Sequence, residues 1–183
     1  GEPLPQLGID AELRQGLTIS YYGTLSWENR DFEETALRPR ASDEDGDYFY
    51  GSSGVSWRPA AGTTLRADAF MENANVEAAY QDRQRLGLRL AVTQALSVGP
   101  GMPAWLARAS AGYQENEYDT ADPFLSLGIA RKDRRSDAEI GLAIPLTTGL
   151  ALDLRVAYTD NDSNIINYKY DNTIAAASLA WRF

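Results

Sequence analysis

Neither cysteine nor histidine occurs among the 183 residues. Without cysteine there is no disulfide framework, no thiolate nucleophile and no thiolate metal site. Without histidine the commonest general base and the commonest metal ligand are gone too. Basic charge is scarce: 17 Lys and Arg face 26 Asp and Glu, a formal net charge of −9. That balance argues against nucleic acid, which demands a basic footprint. No run reaches the ~18 consecutive apolar residues of a membrane-crossing helix. The longest, such as IGLAIPL (140–146), are strand-sized. No charged-then-apolar leader opens the sequence, as expected where a signal peptide has been removed or lies outside it.

What the chain has instead is alternation with a period of two. Leu17, Ile19, Tyr21, Leu25 and Trp27 share one parity, with Thr18, Ser20, Tyr22, Thr24 and Ser26 between them. The same pattern sets Phe49, Val55 and Trp57 against Ser52, Gly54 and Ser56, and Leu65, Ala67, Ala69 and Met71 against Arg66, Asp68 and Phe70. It continues through Leu86–Val92, Trp105–Tyr113, Ile140–Leu146 and Leu150–Tyr158, and ends with Ala175, Ala177, Leu179 and Trp181. Eight such segments leave little room for helix. Alternation of this kind hides an apolar surface from a hydropathy count, as membrane β-barrels do.

The connections sort by length. RPAAGT, SVGPGMP and LTTG are short and rich in Gly or Pro, and longer polar stretches fall between them: 33–46, 72–82, 114–133 and 159–171. Short turns on one side and long loops on the other are the layout of an outer-membrane barrel. Aromatic residues sort the same way: Trp57, Trp105, Trp181 and Phe183 by the short turns or the C-terminus, Tyr113, Tyr158 and Tyr170 by the long loops. Trp105 and Tyr113 share a parity eight residues apart, which a tilted strand turns into roughly 20 Å, close to the ~25 Å apolar band between two aromatic girdles. A soluble barrel with its apolar face inward alternates equally well, and parity alone does not say which face is inside. Small residues on the polar parity (Gly87, Gly112, Gly141, Ala151, Ala180) suit a narrow interior.

With the apolar parity outward, the interior receives Glu28, Arg66, Asp68, Arg85, Arg89, Arg108, Asp137, Glu139, Asp153 and Arg155. Both signs are present, so an ion network is expected to fill the lumen; an eight-stranded barrel is only wide enough for side chains. A carboxylate pair such as Asp137 and Glu139 is better explained as ion-pair partners than as a catalytic acid and base. No catalytic residue, enzyme activity or cofactor is expected. The acidic loop ASDEDGD offers Asp43, Asp45 and Asp47 as weak cation ligands, but lacks the spacing of a calcium-binding loop.

The stretches RKDRRSD (131–137), TTGL (147–150) and DSNIINYKYDNT (162–173), with Ser163, Asn164, Tyr168, Tyr170 and Asp171, lead to a terminal Phe183. Together they resemble the C-terminal hairpins of Gram-negative outer-membrane barrels that often follow tetratricopeptide repeats. Such barrels include the surface lipoprotein assembly modifiers and barrel proteins found with exopolysaccharide systems. The resemblance implies an outer-membrane location, and Phe183 as the signal read by the barrel-assembly machinery. Those relatives usually have more strands and an N-terminal repeat domain.

The expectation is therefore an all-β, antiparallel transmembrane β-barrel of about eight strands over residues 15–183, preceded by a periplasmic leader or linker over 1–14. Its expected role is that of a non-enzymatic anchor or component of an envelope assembly or surface-export complex. Expected partners are outer-membrane lipid, the barrel-assembly machinery and other envelope proteins, without nucleic acid. A transport pore for polysaccharide, protein or small solutes, and a soluble ligand-binding barrel, stand as alternatives.

Overall fold

The computed structural model describes residues 6–37, 39–125 and 128–181. They form a single antiparallel sheet in unbroken sequential order. Its strands are β1 (Gln6–Gln15), β2 (Ile19–Arg30), β3 (Gly46–Ala60), β4 (Thr63–Val76), β5 (Arg83–Leu96), β6 (Trp105–Ala121), β7 (Ala130–Pro145), β8 (Leu150–Ser163) and β9 (Tyr170–Trp181). Two short 3-10 turns, Ala41–Glu44 and Ile166–Tyr168, are the described helical elements. The fold is all-β and antiparallel. Phe183 lies outside the described residues.

Register turns the alternation of each strand into two continuous faces. On one face Trp57 stands opposite Leu65, Ala67 opposite Leu90, Ala109 opposite Ile140, Leu142 opposite Leu154, and Leu152 opposite Leu179. A slip of one residue anywhere would carry an entire strand's apolar set to the other side. None of the eight pairings slips within the apolar band; the two register shifts fall at strand ends, between Trp57 and Ala60 on β3 and between Glu117 and Ala121 on β6.

Two expectations change. Nine strands form, not eight, because residues 6–15 pair along their full length with β2, Gln6 opposite Glu28 and Gln15 opposite Ile19. The leader expected over 1–14 is therefore, from residue 6, a strand of the sheet. Its own alternation explains this: Leu7, Ile9, Ala11 and Leu13 extend the apolar face, with Asp10, Glu12 and Arg14 on the other. Second, three of the long polar stretches contain a substantial share of strand: Glu72–Val76, Gln114–Ala121, Ala130–Asp133 and Thr159–Ser163 continue their ladders, and β9 resumes at Tyr170. Polarity on both parities had concealed them. They are polar because they rise above the apolar band, and backbone pairing does not depend on side-chain polarity.

The sheet is open: β1 and β9 do not pair with each other among the described residues. Burial concentrates at the long-loop end of the polar face. Tyr48, Ala74, Val76, Asn116, Asp133, Asn161 and Ser163 are all buried, and all share the polar parity of their strands. Ala41 and Ile165 from the overlying loops are buried above them, and Phe32 packs against the Tyr48–Ala74–Val76 cluster.

Candidate functional site

The apolar face is the exposed one. Leu86 is 56% exposed, and Leu88 and Leu90 are 61% exposed. Each strand has an uncharged stretch on this face, free of Asp, Glu, Lys and Arg: Leu7 to Leu13 on β1, Ile19 to Trp27 on β2, Phe49 to Trp57 on β3, Leu65 to Asn73 on β4, Leu86 to Leu96 on β5, Trp105 to Tyr113 on β6, Ser136 to Ile144 on β7, Leu150 to Tyr158 on β8 and Ala175 to Trp181 on β9. Directly above Tyr113 and Tyr158 it turns charged. Glu115 and Glu117 pair there with Arg134 (3.3 Å) and Lys132 (2.8 Å), and Asp162 pairs with Lys169 (2.7 Å). Trp57, Trp105 and Trp181 stand at the short-turn ends, opposite Ile19, Leu96 and Leu150. Tyr170, expected in the girdle, stands opposite Asn161 above the band and shares its polar parity, so it does not belong to this face. Two aromatics absent from the expected girdle, Trp27 and Phe49, sit opposite each other at the upper rim. Their parity was readable in the sequence; their common level needed the register.

The opposite face holds the ten polar residues singled out above. Six ion pairs involve nine of them. Glu28 takes Arg30 (2.9 Å), Asp68 takes Arg66 (3.7 Å), and Arg85 takes Glu72 (3.7 Å). Arg108 pairs with Asp153, Asp137 takes Arg135 (2.8 Å), and Glu139 takes Arg155 (4.0 Å). Asp137 also accepts a hydrogen bond from Thr159 (2.7 Å). Arg89 has no carboxylate within ion-pair distance among the described residues; its guanidinium lies 5.9 Å from the Phe70 ring. It borders a hollow of about 310 Å³ lined also by Gln114, Arg135, Asp137 and Glu139, with Gly112 at its floor.

Glycines make this face work. Tyr22 on β2 reaches Asp68 on β4 by lying across Gly54, where a Cβ would sit 2.6 Å from the Tyr22 Cζ. Arg108 on β6 reaches Asp153 on β8 past Gly141, where a Cβ would stand in ordinary contact with the guanidinium, 3.5 Å from its Nε. At Gly87 a Cβ would overlap the Phe70 ring outright. Gly87→Val is therefore expected to destabilise by about 1–3 kcal/mol through overpacking. Denaturant unfolding in lipid checks this: adding Phe70→Ala should recover part of the loss, so the double variant costs less than the sum of the singles.

Above the band, loops close over the polar face. Arg131 lies between the rings of Tyr118 (4.2 Å) and Tyr168 (3.8 Å) and pairs with Asp133 (2.8 Å). Burial pushes the Tyr118 phenol above its ordinary range. Arg83, Glu72 and the buried Asp133 each keep one side-chain polar atom without a hydrogen-bond partner among the described residues, although that atom of Glu72 ion-pairs with Arg83 and Arg85. The acidic loop does not converge: Asp43 pairs with Arg40 (2.7 Å) and Tyr80, Asp45 accepts the Phe32 N–H (2.7 Å), and Asp47 accepts from Asn29 (3.1 Å). Arg40 also lies over Phe124 (3.6 Å), so three loops meet there. No group of three Asp or Glu placed to hold a metal occurs among the described residues.

The Tyr80 hydroxyl, then Arg40, hold the Asp43 carboxyl below its ordinary range. A group whose pKa is depressed on folding stabilises above its unfolded value, and that contribution fades as pH falls through the folded one. The loop junction is expected to loosen below about pH 4. Acid-active protease cleavage within 31–45 should rise there, and Asp43→Asn should be cleaved equally at all pH values.

No protein-family profile matches the chain, and no curated protein matches it. The surface lipoprotein assembly modifier and exopolysaccharide-associated families thus gain no support beyond the resemblance of the last residues. Among solved structures, a variant of the ferric enterobactin receptor of Pseudomonas aeruginosa is similar at 14% identity and a TM-score of 0.45. The match covers 95% of this chain and 32% of the receptor, so the chain spans about a third of that structure's length.

Proposed function

We propose that this sheet is membrane-spanning wall of a bacterial outer-membrane β-barrel, with short turns in the periplasm and long loops outside. It acts without enzymatic chemistry, as an anchor or component of an envelope assembly or surface-export complex. Lipid contacts its apolar face, the barrel-assembly machinery inserts it, and other envelope proteins meet its loops. The observation that carries this reading is the uncharged outward face, continuous across nine strands and turning charged only towards the long-loop end. In hydrocarbon every backbone polar group needs a partner, and a β-sheet provides this along the interior of the wall. The enclosed apolar face of a soluble ligand-binding barrel is the opposite arrangement to this one. Heat-modifiable migration and resistance to alkaline extraction are the expected results. A chain that stays in solution without detergent would overturn the proposal.

The hollow beside Arg89 favours a second reading, a transport pore. Planar-bilayer recordings separate the two. Silence supports the anchor. Stable openings, with ion selectivity shifted by neutralising Arg85, Arg89 and Arg108, support the pore.

A further inference from the structure

The two edges of the sheet run in the same direction. β1 descends from Gln6, opposite Glu28 at the long-loop end, to Gln15, opposite Ile19. β9 descends from Tyr170, opposite Asn161, to Trp181, opposite Leu150. An odd number of strands joined only by reversals has no other outcome. If the sheet is membrane wall, as proposed above, both edges lie in hydrocarbon, where an unpaired row of N–H and C=O groups is not tolerated.

We propose that further strands of the same polypeptide, odd in number, close this sheet. The one beside β1 joins it on the long-loop side, and the complete barrel has an even count of at least ten strands. The inference rests on the membrane reading but is separable from it. Three closures compete with it.

Pairing β1 with β9 would be parallel, whereas single-chain bacterial barrels are antiparallel and even-numbered. A second copy in the same membrane orientation offers the same two descending edges, so its junctions would also be parallel. Pairing β9 with β2 would be antiparallel. It would require stripping β1 from all ten register pairs and from the bond between Asp10 and Thr24 (2.7 Å). It would also take Leu7, Ile9 and Leu13 out of the apolar face, where each is 65–69% exposed and available to lipid.

The occupant of the gap is defined by what it must satisfy. It ascends from the short-turn side, spans about 9–11 residues, and alternates apolar-out with polar-in. The same-chain source follows from topology: every described spatial neighbour is also a sequence neighbour, without a crossover. A strand flanking β1 by that rule is connected to its upper end. β9 is suited to receive the last of the added strands, since the lower half of its inward parity, below Tyr170, Asn172 and Ile174, carries only the small side chains of Ala176, Ser178 and Ala180, a surface that long residues could lie across.

A photo-crosslinking residue placed at Ala11, and separately at Ala177, tests this in the full-length protein in outer membranes. The same residue at Ala67 is the positive control and must capture β5. The expected result is capture, from both edges, of residues outside 6–181 in the same polypeptide, with the product at monomer mass. Capture of β9 from Ala11 would overturn the proposal in favour of parallel closure, and capture of β2 from Ala177 in favour of eight strands. A product at higher mass would overturn the same-chain source. Silence at both edges, with Ala67 active, would overturn closure itself. If alkali extracts the protein, the membrane reading fails first, and the two failures are told apart.

Discussion

Leu154→Arg should cost ~2–4 kcal/mol, the penalty for a cation on the lipid face near mid-bilayer. Leu154 stands opposite Leu142 on β7 and Ala177 on β9, midway between Leu150 and Tyr158 on the outward face of β8. No carboxylate shares that face at this level, so the guanidinium has neither a partner nor water. Leu152→Arg adds a second such charge one outward position nearer the short turns. The double variant is expected to lose the folded, heat-modifiable band altogether. The control is Ala157→Arg on the same strand, whose side chain faces the other way, opposite Glu139. A cation there has a counter-ion in reach, and the folded band should persist. The readout is the folded fraction after refolding into lipid vesicles across a urea series. Equal tolerance of Leu154→Arg and Ala157→Arg would sink the face assignment, and with it the membrane reading.

How far these faces were legible depended on what each strand has to bury. Leu150, Leu152, Leu154, Val156 and Tyr158 alternate without interruption, because that strand crosses the whole apolar band from the short turn to the charged long-loop end. β1 alternates as well, through Leu7, Ile9, Ala11 and Leu13, but its inward positions carry Asp10, Glu12 and Arg14. A short charged opening stretch reads as a leader unless its parity is counted. The segments above the band carried no signal of either period. Their outward positions (Glu115, Glu117, Lys132, Arg134) and inward positions (Asn116, Asp133) are all polar, so composition suggested loop where the ladder simply continues. The polar face is a different case. Ion pairing among its charges was expected from their mixed signs, and nine of the ten residues singled out take part in six pairs. Which residue meets which was not readable, since Arg108 reaches Asp153 two strands away, past its own register partner Gly141. Tyr22 reaching Asp68 over Gly54 is the same problem. Contacts that skip a strand depend on two registers at once, and a sequence pattern specifies neither.

Arg131 gives the second large effect, and it falls where the sequence was least informative. Its guanidinium bonds Asp133 and the Tyr118 hydroxyl (2.6 Å), and lies against the Tyr118 and Tyr168 rings. Asp133 is only 3% exposed and has one carboxylate oxygen with no partner, so Arg131 is its counter-ion. Removing one member of a buried pair costs 3–5 kcal/mol, because the remaining charge is stranded. Arg131 itself is partly solvated, with 23% of its side chain exposed. Arg131→Met is therefore expected near the lower end, about 3 kcal/mol. Adding Asp133→Asn removes the stranded charge while keeping its shape, and should restore well over half of the loss. A role confined to stacking on the two rings predicts something else: Arg131→Met would cost about 1 kcal/mol, and Asp133→Asn would not rescue it. Urea unfolding in vesicles reads the global effect. Protease cleavage in the loop over 164–169 reads any opening confined to the cap, since Tyr168 sits there and its carbonyl accepts from Asn161 (2.7 Å). Cleavage that rises while the urea midpoint stays fixed would mean that the cap unfolds independently of the wall. The Arg131–Asp133 pair would then hold the loops down over the polar face, and would not hold the sheet together.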